Sequence, residues 1–370
     1  MRIGIDAYPL VKSKAGISRY ISNILEELFA IDKKNKYILY LPKEIKLSKV
    51  NVSQLITKGI FKKSAILWMQ FGANNDFLRD KIDLFWGTQA FLPLRAPSKV
   101  KKIVTVYDLV WKCYPGTLNW DNKIIFPVFF KKSMQSADKI MTISRTTADD
   151  LTKYFPFCKN KTDIVYCGIK QCAGSGNQGN LGIFNKFNIG PKYILTVSTL
   201  EPRKNIINLI KAYSILKQKP GFDYQLVIAG AKGWSGDIIS CIFKKVSFNK
   251  KDVIFTGYVD DVQLSQLYEN SSLFAMVSVY EGFGMPVLEA LLHGIPEIVS
   301  KIPVFKEVLG DNACFVDPLD YRSIAQGIEK IISDNSIKEK FLKNKEQILE
   351  KFSWKHSAKK VLDLIESFEK

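Results

Sequence analysis

The stretch Tyr193-Ile194-Leu195-Thr196-Val197-Ser198-Thr199-Leu200-Glu201-Pro202-Arg203-Lys204-Asn205 reads as a strand running into a charged turn. Tyr193–Val197 is apolar and β-branched enough for a buried strand, and the spacing after the turn predicts a helix from about Asn205 to Leu216. The same alternation continues downstream. Gln225–Ala229 predicts a strand closing at Gly230-Ala231-Lys232-Gly233, and Val253–Phe255 one closing at Thr256-Gly257-Tyr258. Gln263–Glu269 predicts a helix, Leu273–Val277 a buried strand, Pro286–Leu292 a helix and Ile298–Val299 a strand, with a largely helical tail from Tyr321. Repeated strand–helix units imply a parallel sheet, whose ligands sit beyond the carboxyl ends of its strands.

The first half follows the same alternation. Strands are predicted at Arg2–Asp6, Tyr37–Leu41, Asp83–Trp86, Lys102–Tyr107, Lys139–Ile143 and Asp163–Tyr166. Ile17, Tyr20, Ile21, Ile24, Leu25 and Leu28 share one face of a helix over Gly16–Ala30, and Ser144 predicts the N-cap of another helix. The Gly- and Asn-rich run 171–182 reads as a flexible linker. The expected division is an N-terminal Rossmann-like domain over 1–170, a linker over 171–190, a second Rossmann-like domain over 191–352, and a C-terminal helix over 353–370 packing back on the first domain. The expected class is α/β, with two Rossmann-like domains whose parallel sheets face each other across a cleft.

With 370 residues, 46% of them hydrophobic, the chain can fill two cores, and its 24% charged fraction argues against wholesale disorder. The net charge of +18 is lopsided: residues 1–180 hold 29 Lys and Arg against 14 Asp and Glu, whereas residues 181–370 hold 25 against 22. A field of that sign attracts anionic partners such as phospholipid headgroups, a diphosphate-bearing acceptor or nucleic acid, or it is simply a solvated lysine-rich face. The six cysteines form no C-x-x-C pair and the two histidines lie far apart, so a structural zinc site is not expected, and scattered cysteines fit a reducing cytosol. No apolar run reaches the roughly 18–20 residues of a membrane helix, and no signal peptide is read from the N-terminus.

Three constellations carry chemistry. Gly16 opens a helix whose N-terminus could face an anion, although a lone glycine there also serves as a simple turn. Arg203 and Lys204 at a strand–helix turn suit a diphosphate, one as a forked donor and one as a point charge, and would equally suit a charged surface turn. The run Glu281-Gly282-Phe283-Gly284-Met285-Pro286-Val287-Leu288-Glu289 places two carboxylates around glycines at a helix entry. Glu281 and the exposed backbone N–H groups could read sugar hydroxyls and a phosphate, and Glu289 could accept both ribose hydroxyls.

On Glu201–Asn205, Glu281–Glu289, Gly257-Tyr258-Val259, Gly294-Ile295-Pro296 and Glu307, the chain resembles glycosyltransferase family four, retaining enzymes of the GT-B fold, over nearly its whole length. Within that group it is similar to bacterial O-antigen and capsule transferases, many of them mannosyltransferases acting in lipopolysaccharide biosynthesis. The resemblance implies that Arg203 and Lys204 bind the donor diphosphate with Asn205 in the same turn. It further implies that Glu281 contacts the sugar, supported by Gly282 and the N–H groups of Phe283 and Gly284, and that Glu289 holds the ribose. The backbone at Tyr258 and Val259 would hold the base, Gly16 would face the diphosphate from the other domain, and Asp108 would point toward the transferred sugar. Glu281, Asp108, Lys204 and Arg203 are thus the expected catalytic group.

Three positions depart from the family pattern: Tyr107 stands where a histidine is frequent, Thr199 where an arginine is frequent, and Ala15 where the first of two glycines is frequent. The resemblance implies front-face substitution, in which the leaving diphosphate assists the acceptor and the protein offsets the charge growing on it. No cofactor and no metal are expected, because Asp149-Asp150 and Asp260-Asp261 read as helix starts rather than ligands. Ile124–Lys132, apolar with flanking cations, reads either as an interfacial segment or as a core helix. The expected partners are a nucleotide-sugar donor, with GDP-mannose the best guess, a saccharide or lipid-linked saccharide acceptor, and an anionic membrane surface; the expected location is the cytoplasm, peripheral on the inner membrane face. The rival readings are another sugar-nucleotide enzyme of this fold such as an epimerase or phosphorylase, a basic nucleotide- or nucleic-acid-binding protein, and an inactive paralogue.

Overall fold

Strands that read as uninterrupted apolar runs need both faces covered, which a parallel sheet between helices provides. The structure, a computed structural model, describes residues 1–12, 16–47, 51–115, 125–170, 182–231, 233, 249 and 251–369. It has two such sheets, and the expected α/β class with two parallel Rossmann-like sheets holds. The chain divides into one unit of Met1–Leu109, Trp120–Gly168 and Phe352–Lys370, and a second of Val110–Asn119 and Ile169–Lys351.

The first unit's sheet contains β1 (Arg2–Asp6), β2 (Lys36–Leu41), β3 (Val52–Ile56), β4 (Leu84–Gly87), β5 (Lys101–Val106), β6 (Lys139–Thr142) and β7 (Thr162–Ile164) in the order β3-β2-β1-β4-β5-β6-β7. Every pairing is parallel. The helix Gly16–Ile31 buries Tyr20, Ile21, Ile24, Leu25 and Leu28 as its periodicity predicts, while Ile17 in the first turn is exposed. Ser144 caps the helix Arg145–Tyr154 by accepting from the Thr147 N–H at 2.9 Å. Asp149 and Asp150 fall in the middle of that helix, so their reading as a helix start is corrected: the Ser144 cap sets the start four residues earlier. The helix Trp354–Glu366 packs on the first unit, with Trp354 edge-on to Tyr20 and the Ser357 hydroxyl donating to the Tyr166 carbonyl at 2.7 Å.

The second unit's sheet contains β8 (Tyr193–Val197), β9 (Gln225–Ala229), β10 (Val253–Gly257), β11 (Leu273–Met276), β12 (Glu297–Ser300) and β13 (Cys314–Val316) in the order β10-β9-β8-β11-β12-β13. Chain order reverses on either side of β8, so the carboxyl ends of β8 and β11 flank the position where this architecture opens a crevice. Ile194, Leu226, Ile228, Leu273, Ala275 and Ile298 form one buried face beneath the helices Ile206–Lys217 and Tyr321–Ser333. Of the expected linker, 171–181 lies outside the described residues. Residues 182–190 are not a linker: Gly182–Phe187 is helical, Ile183 is buried, and the Gly190 N–H donates to Gln225 Oε1 at 2.6 Å. Aromatic and branched side chains there have a core to enter, which outweighs the flexible composition just before them.

The segment 124–132 resolves toward a core helix. Ile124 lies outside the described residues; in the helix Ile125–Ser136, Phe130 and Met134 are buried, Phe126 packs edge-on against Phe91, and Val128 is exposed. No helix among the described residues is long and apolar enough to cross a membrane.

One core position runs against the pattern. Glu297 begins β12, is buried, and both its carboxylate oxygens lack a hydrogen-bond partner among the described residues. Burial pushes its pKa well above the ordinary glutamate range. The folded state therefore holds a proton that the unfolded chain releases, so the penalty of this group grows as pH rises above the glutamate range. Replacing Glu297 by Ile is expected to stabilise the protein by about 1–3 kcal/mol at neutral pH. The gain should shrink as pH falls below the usual carboxylate pKa, which denaturant unfolding of both proteins across pH would measure.

Candidate functional site

The turn after β8 places its charges by backbone geometry. Pro202–Lys204 forms one turn of 3₁₀ helix, and Asn205 follows in the left-handed region at φ 59°, a conformation that asparagine tolerates better than most residues. The Asn205 amide nitrogen donates to the Val277 carbonyl at 3.0 Å and to the Pro318 carbonyl at 2.6 Å, and the Val279 N–H donates to the Arg203 carbonyl at 2.9 Å. The β8 turn is thereby tied to the segment leaving β11, although the two are more than seventy residues apart in sequence. Asn205, expected in the donor site, acts here as the tie that orients its neighbours.

The tie brings Arg203, Lys204 and Glu281 together. Arg203 Nη1 donates to Glu281 Oε2 at 2.7 Å and Lys204 Nζ to Glu281 Oε1 at 2.5 Å, so each carboxylate oxygen takes one cation. Arg203 Nε donates to Glu201 Oε2 at 2.8 Å, and Arg203 Nη1 also reaches the Tyr280 carbonyl at 3.3 Å. All four side chains are largely buried. Burial opposes the Glu281 charge, but Arg203 and Lys204 outweigh it and lower the pKa to about 2. Lys204 is also lowered from the lysine range: burial disfavours its charge, and the neighbouring Arg203 cation offsets part of what Glu281 returns. The two directions have different causes: burial lowers Lys204, whereas two cations lower Glu281 in spite of burial.

The glycine run beyond Glu281 is shaped by close approach. Gly284 sits at φ 89°, and a Cβ there would lie 2.6 Å from the Phe305 ring, so only glycine fits. Phe283 is buried, and the helix Met285–Leu292 begins directly after Gly284. On that helix Glu289 is half-buried and accepts from the Tyr268 hydroxyl at 3.0 Å, while Tyr268 stacks on His293. Tyr268 thus sets the orientation of Glu289, a role no sequence motif pointed to. Likewise Glu201 lies within a quoted motif, yet its grip on Arg203 emerges only in the fold. The Ser198 and Ser300 hydroxyls, at the carboxyl ends of β8 and β12, are buried without a hydrogen-bond partner among the described residues. A polar ligand at this edge would satisfy them.

The remaining expected residues belong to other elements. Tyr258 and Val259 follow β10, with Tyr258 exposed. Gly16 is the first residue of its helix and Asp108 follows β5; both belong to the first unit, and Lys14 and Ala15 lie outside the described residues. Glu307 lies on the helix Pro303–Leu309. Tyr107, in the place of the frequent histidine, buries its hydroxyl without a hydrogen-bond partner among the described residues, beside Tyr20.

Two perturbations separate the parts. Glu281→Gln leaves the Lys204 and Arg203 charges buried without their shared anion, and should destabilise the second unit by about 3–5 kcal/mol. In the wild type the Glu281 contribution is present above the ordinary glutamate pKa and fades as pH falls from there toward about 2, so the variant's unfolding free energy should flatten over that window. Asn205→Ala loses both carbonyl ties and strains the left-handed turn, a loss of about 2–4 kcal/mol in denaturant unfolding, while Asn205→Gly should recover the strain but not the ties.

Comparisons with known proteins agree with this architecture. Residues 183–348 match the family described as Glycosyl transferases group 1. The chain is 27% identical over 290 residues to O-antigen chain mannosyltransferase B of Escherichia coli, covering 77% of this chain and 75% of that protein. A serotype-specific mannosyltransferase of the same organism is 27% identical over 60% of this chain, which spans only 28% of that longer protein. Among solved structures, sucrose-phosphate synthase from Thermosynechococcus elongatus superposes with a TM-score of 0.77 at 15% identity, covering 100% of this chain and 99% of that one. Anabaena HepE in complex with UDP-glucose superposes with a TM-score of 0.75 at 15% identity, covering 99% and 100%. The motifs around Arg203, Lys204 and Glu281 thus stand in the stretch that matches Glycosyl transferases group 1, in a chain similar over three quarters of its length to an O-antigen mannosyltransferase and sharing the two-sheet fold of these solved structures.

Proposed function

We propose that this glycosyltransferase is a retaining mannosyltransferase that takes mannose from GDP-mannose and adds it to a saccharide or lipid-linked saccharide in cell-surface polysaccharide synthesis. The observation that carries the reading is the convergence of Arg203, Lys204 and Glu281 at the carboxyl ends of β8 and β11. Two cations held at one point favour a leaving diphosphate, and a carboxylate beside them can accept from sugar hydroxyls. The likeness to O-antigen mannosyltransferase B supports mannose over another hexose.

In this reading the donor diphosphate enters against Arg203 and Lys204 and draws part of their charge from Glu281, which turns its oxygens to the sugar. Glu289, held by Tyr268, takes the ribose, and the Tyr258–Val259 backbone takes the base. As charge develops on the departing diphosphate, the fixed cations stabilise it without reorganising, and the diphosphate oxygen receives the acceptor proton on the same face of the sugar. No metal is assigned a step. The excess positive charge of residues 1–180 would hold an anionic acceptor at an inner membrane surface.

Incubation with GDP-mannose, UDP-glucose, UDP-galactose and ADP-glucose, reading released nucleotide, tests the donor. GDP-mannose should be turned over fastest, GDP alone should raise the melting temperature, and Lys204→Ala should lower turnover by about 10²–10³-fold. Preference for a uridine or adenine donor would overturn the donor assignment, and an inverted anomeric product would overturn retention.

A further inference from the structure

The first unit exposes apolar side chains beyond the segment 124–132. In the helix Ala65–Phe71, Ala65, Trp68 and Met69 are buried, with Trp68 stacked on Tyr8 and its Nε1 donating to Asp76 Oδ2 at 2.8 Å. This anchoring turns Leu67 and Phe71, one helical turn apart, outward at 41% and 73% exposure. Gln70 adds a neighbour: its Nε2 donates to the Leu92 carbonyl at 3.2 Å and its Oε1 accepts from the Leu94 N–H at 3.1 Å, which fixes Leu94, 42% exposed, beside the same helix. The 3₁₀ turn Gly59–Lys63 buries none of its residues and presents Ile60 at 67% exposure, while the Phe61 ring lies against Gly72 at the helix end.

The same segments carry cations. Lys58, Lys62, Lys63 and Arg95 are exposed, and none is paired with a carboxylate among the described residues. Neither 58–72 nor 91–95 contains an aspartate or glutamate. The two segments follow β3 and β4, and so leave the carboxyl edge of the first unit's sheet. Isolated exposed leucines need no explanation, but exposed Phe, Leu and Ile side chains in the same segments as unpaired cations, at the carboxyl edge of a parallel sheet, do.

We propose that this surface docks the first unit on an anionic lipid bilayer, with Leu67, Phe71, Leu94 and Ile60 entering the headgroup–acyl boundary and the lysines contacting lipid phosphates. Charge selects the occupant: a bilayer bearing phosphatidylglycerol complements an unpaired cationic fringe, whereas a second copy of this chain would oppose cations to cations. Each lysine near such a surface strengthens attraction roughly fivefold, and the aromatic and aliphatic chains add a component that salt does not screen. The proposal rests on the membrane-borne acceptor above for its purpose; its test does not depend on transfer.

Flotation of the full chain with phosphatidylglycerol-containing and pure phosphatidylcholine vesicles decides it. The wild type should float with the first and not the second. Leu67→Ser with Phe71→Ser should lower the bound fraction at least about tenfold, and Lys62→Gln with Lys63→Gln should lower it most at low salt. Both variants change exposed positions, and nucleotide release from GDP-mannose in solution should match the wild type. Undiminished flotation of the Leu67→Ser, Phe71→Ser protein would overturn the proposal. So would a wild-type dimer in solution that Phe71→Ser splits, with vesicle binding unchanged. Vesicle binding without any sugar transfer would remove the functional reading and leave this surface standing; transfer without vesicle binding would do the reverse.

Discussion

A carboxylate held between two buried cations is the constraint on which the second unit's functional edge depends. Burying any of these charges alone would be costly, and the group persists because each has its partner at hydrogen-bonding distance. Glu281 divides its two oxygens between Arg203 and Lys204, and Glu201 takes the remaining edge of Arg203, so two cations meet two carboxylates. The charges are therefore in position before a substrate arrives. In the proposed function an incoming diphosphate would meet cations that need no side-chain reordering, only a transfer of partners, which is the condition for electrostatic stabilisation to act on a developing charge.

The backbone around this group is arranged to keep it there. Asn205 joins three elements through two carbonyls, the Val279 N–H holds the Arg203 carbonyl, and Gly284 lets the helix Met285–Leu292 start against Phe305. Tyr268 does for Glu289 what Glu201 does for Arg203. The first unit spends its sequence differently. Its core is crowded with aromatics around Trp68, and most of the chain's excess cations lie in the half that contains it. One unit concentrates paired charge at a point inside, and the other sets exposed Lys58, Lys62, Lys63 and Arg95 in the same segments as exposed apolar side chains.

Much of the fold was legible because buried parallel strands announce themselves as apolar runs. Elements that escaped had weaker signals for physical reasons. β3 is an edge strand with one neighbour, and its Val-Ser-Gln-Leu-Ile sequence keeps polar residues where solvent reaches. β13, at the opposite edge of its own sheet, has three residues, and the helix Pro303–Leu309 is too short for a clear period. Glu297 is invisible as a core residue, since no rule of pattern places a lone carboxyl in a strand interior. Within the site, motif spacing singled out Arg203, Lys204, Glu281 and Glu289, but the ties from Asn205 to the Val277 and Pro318 carbonyls join segments too far apart in sequence for any local pattern to show.

By itself the sequence determined the strand–turn–helix rhythm, the positions of the charged turn and the glycine run, and the basic bias of the first half, because these depend on neighbours a few residues apart. Tertiary structure alone decided that β8 lies beside β11, that Arg203 and Lys204 consequently share Glu281, and that Leu67 and Phe71 face outward while Trp68 faces in. The order of strands in a parallel sheet follows from how crossovers pack rather than from any local signal, and a buried ion finds its partner only where that order brings distant segments within reach.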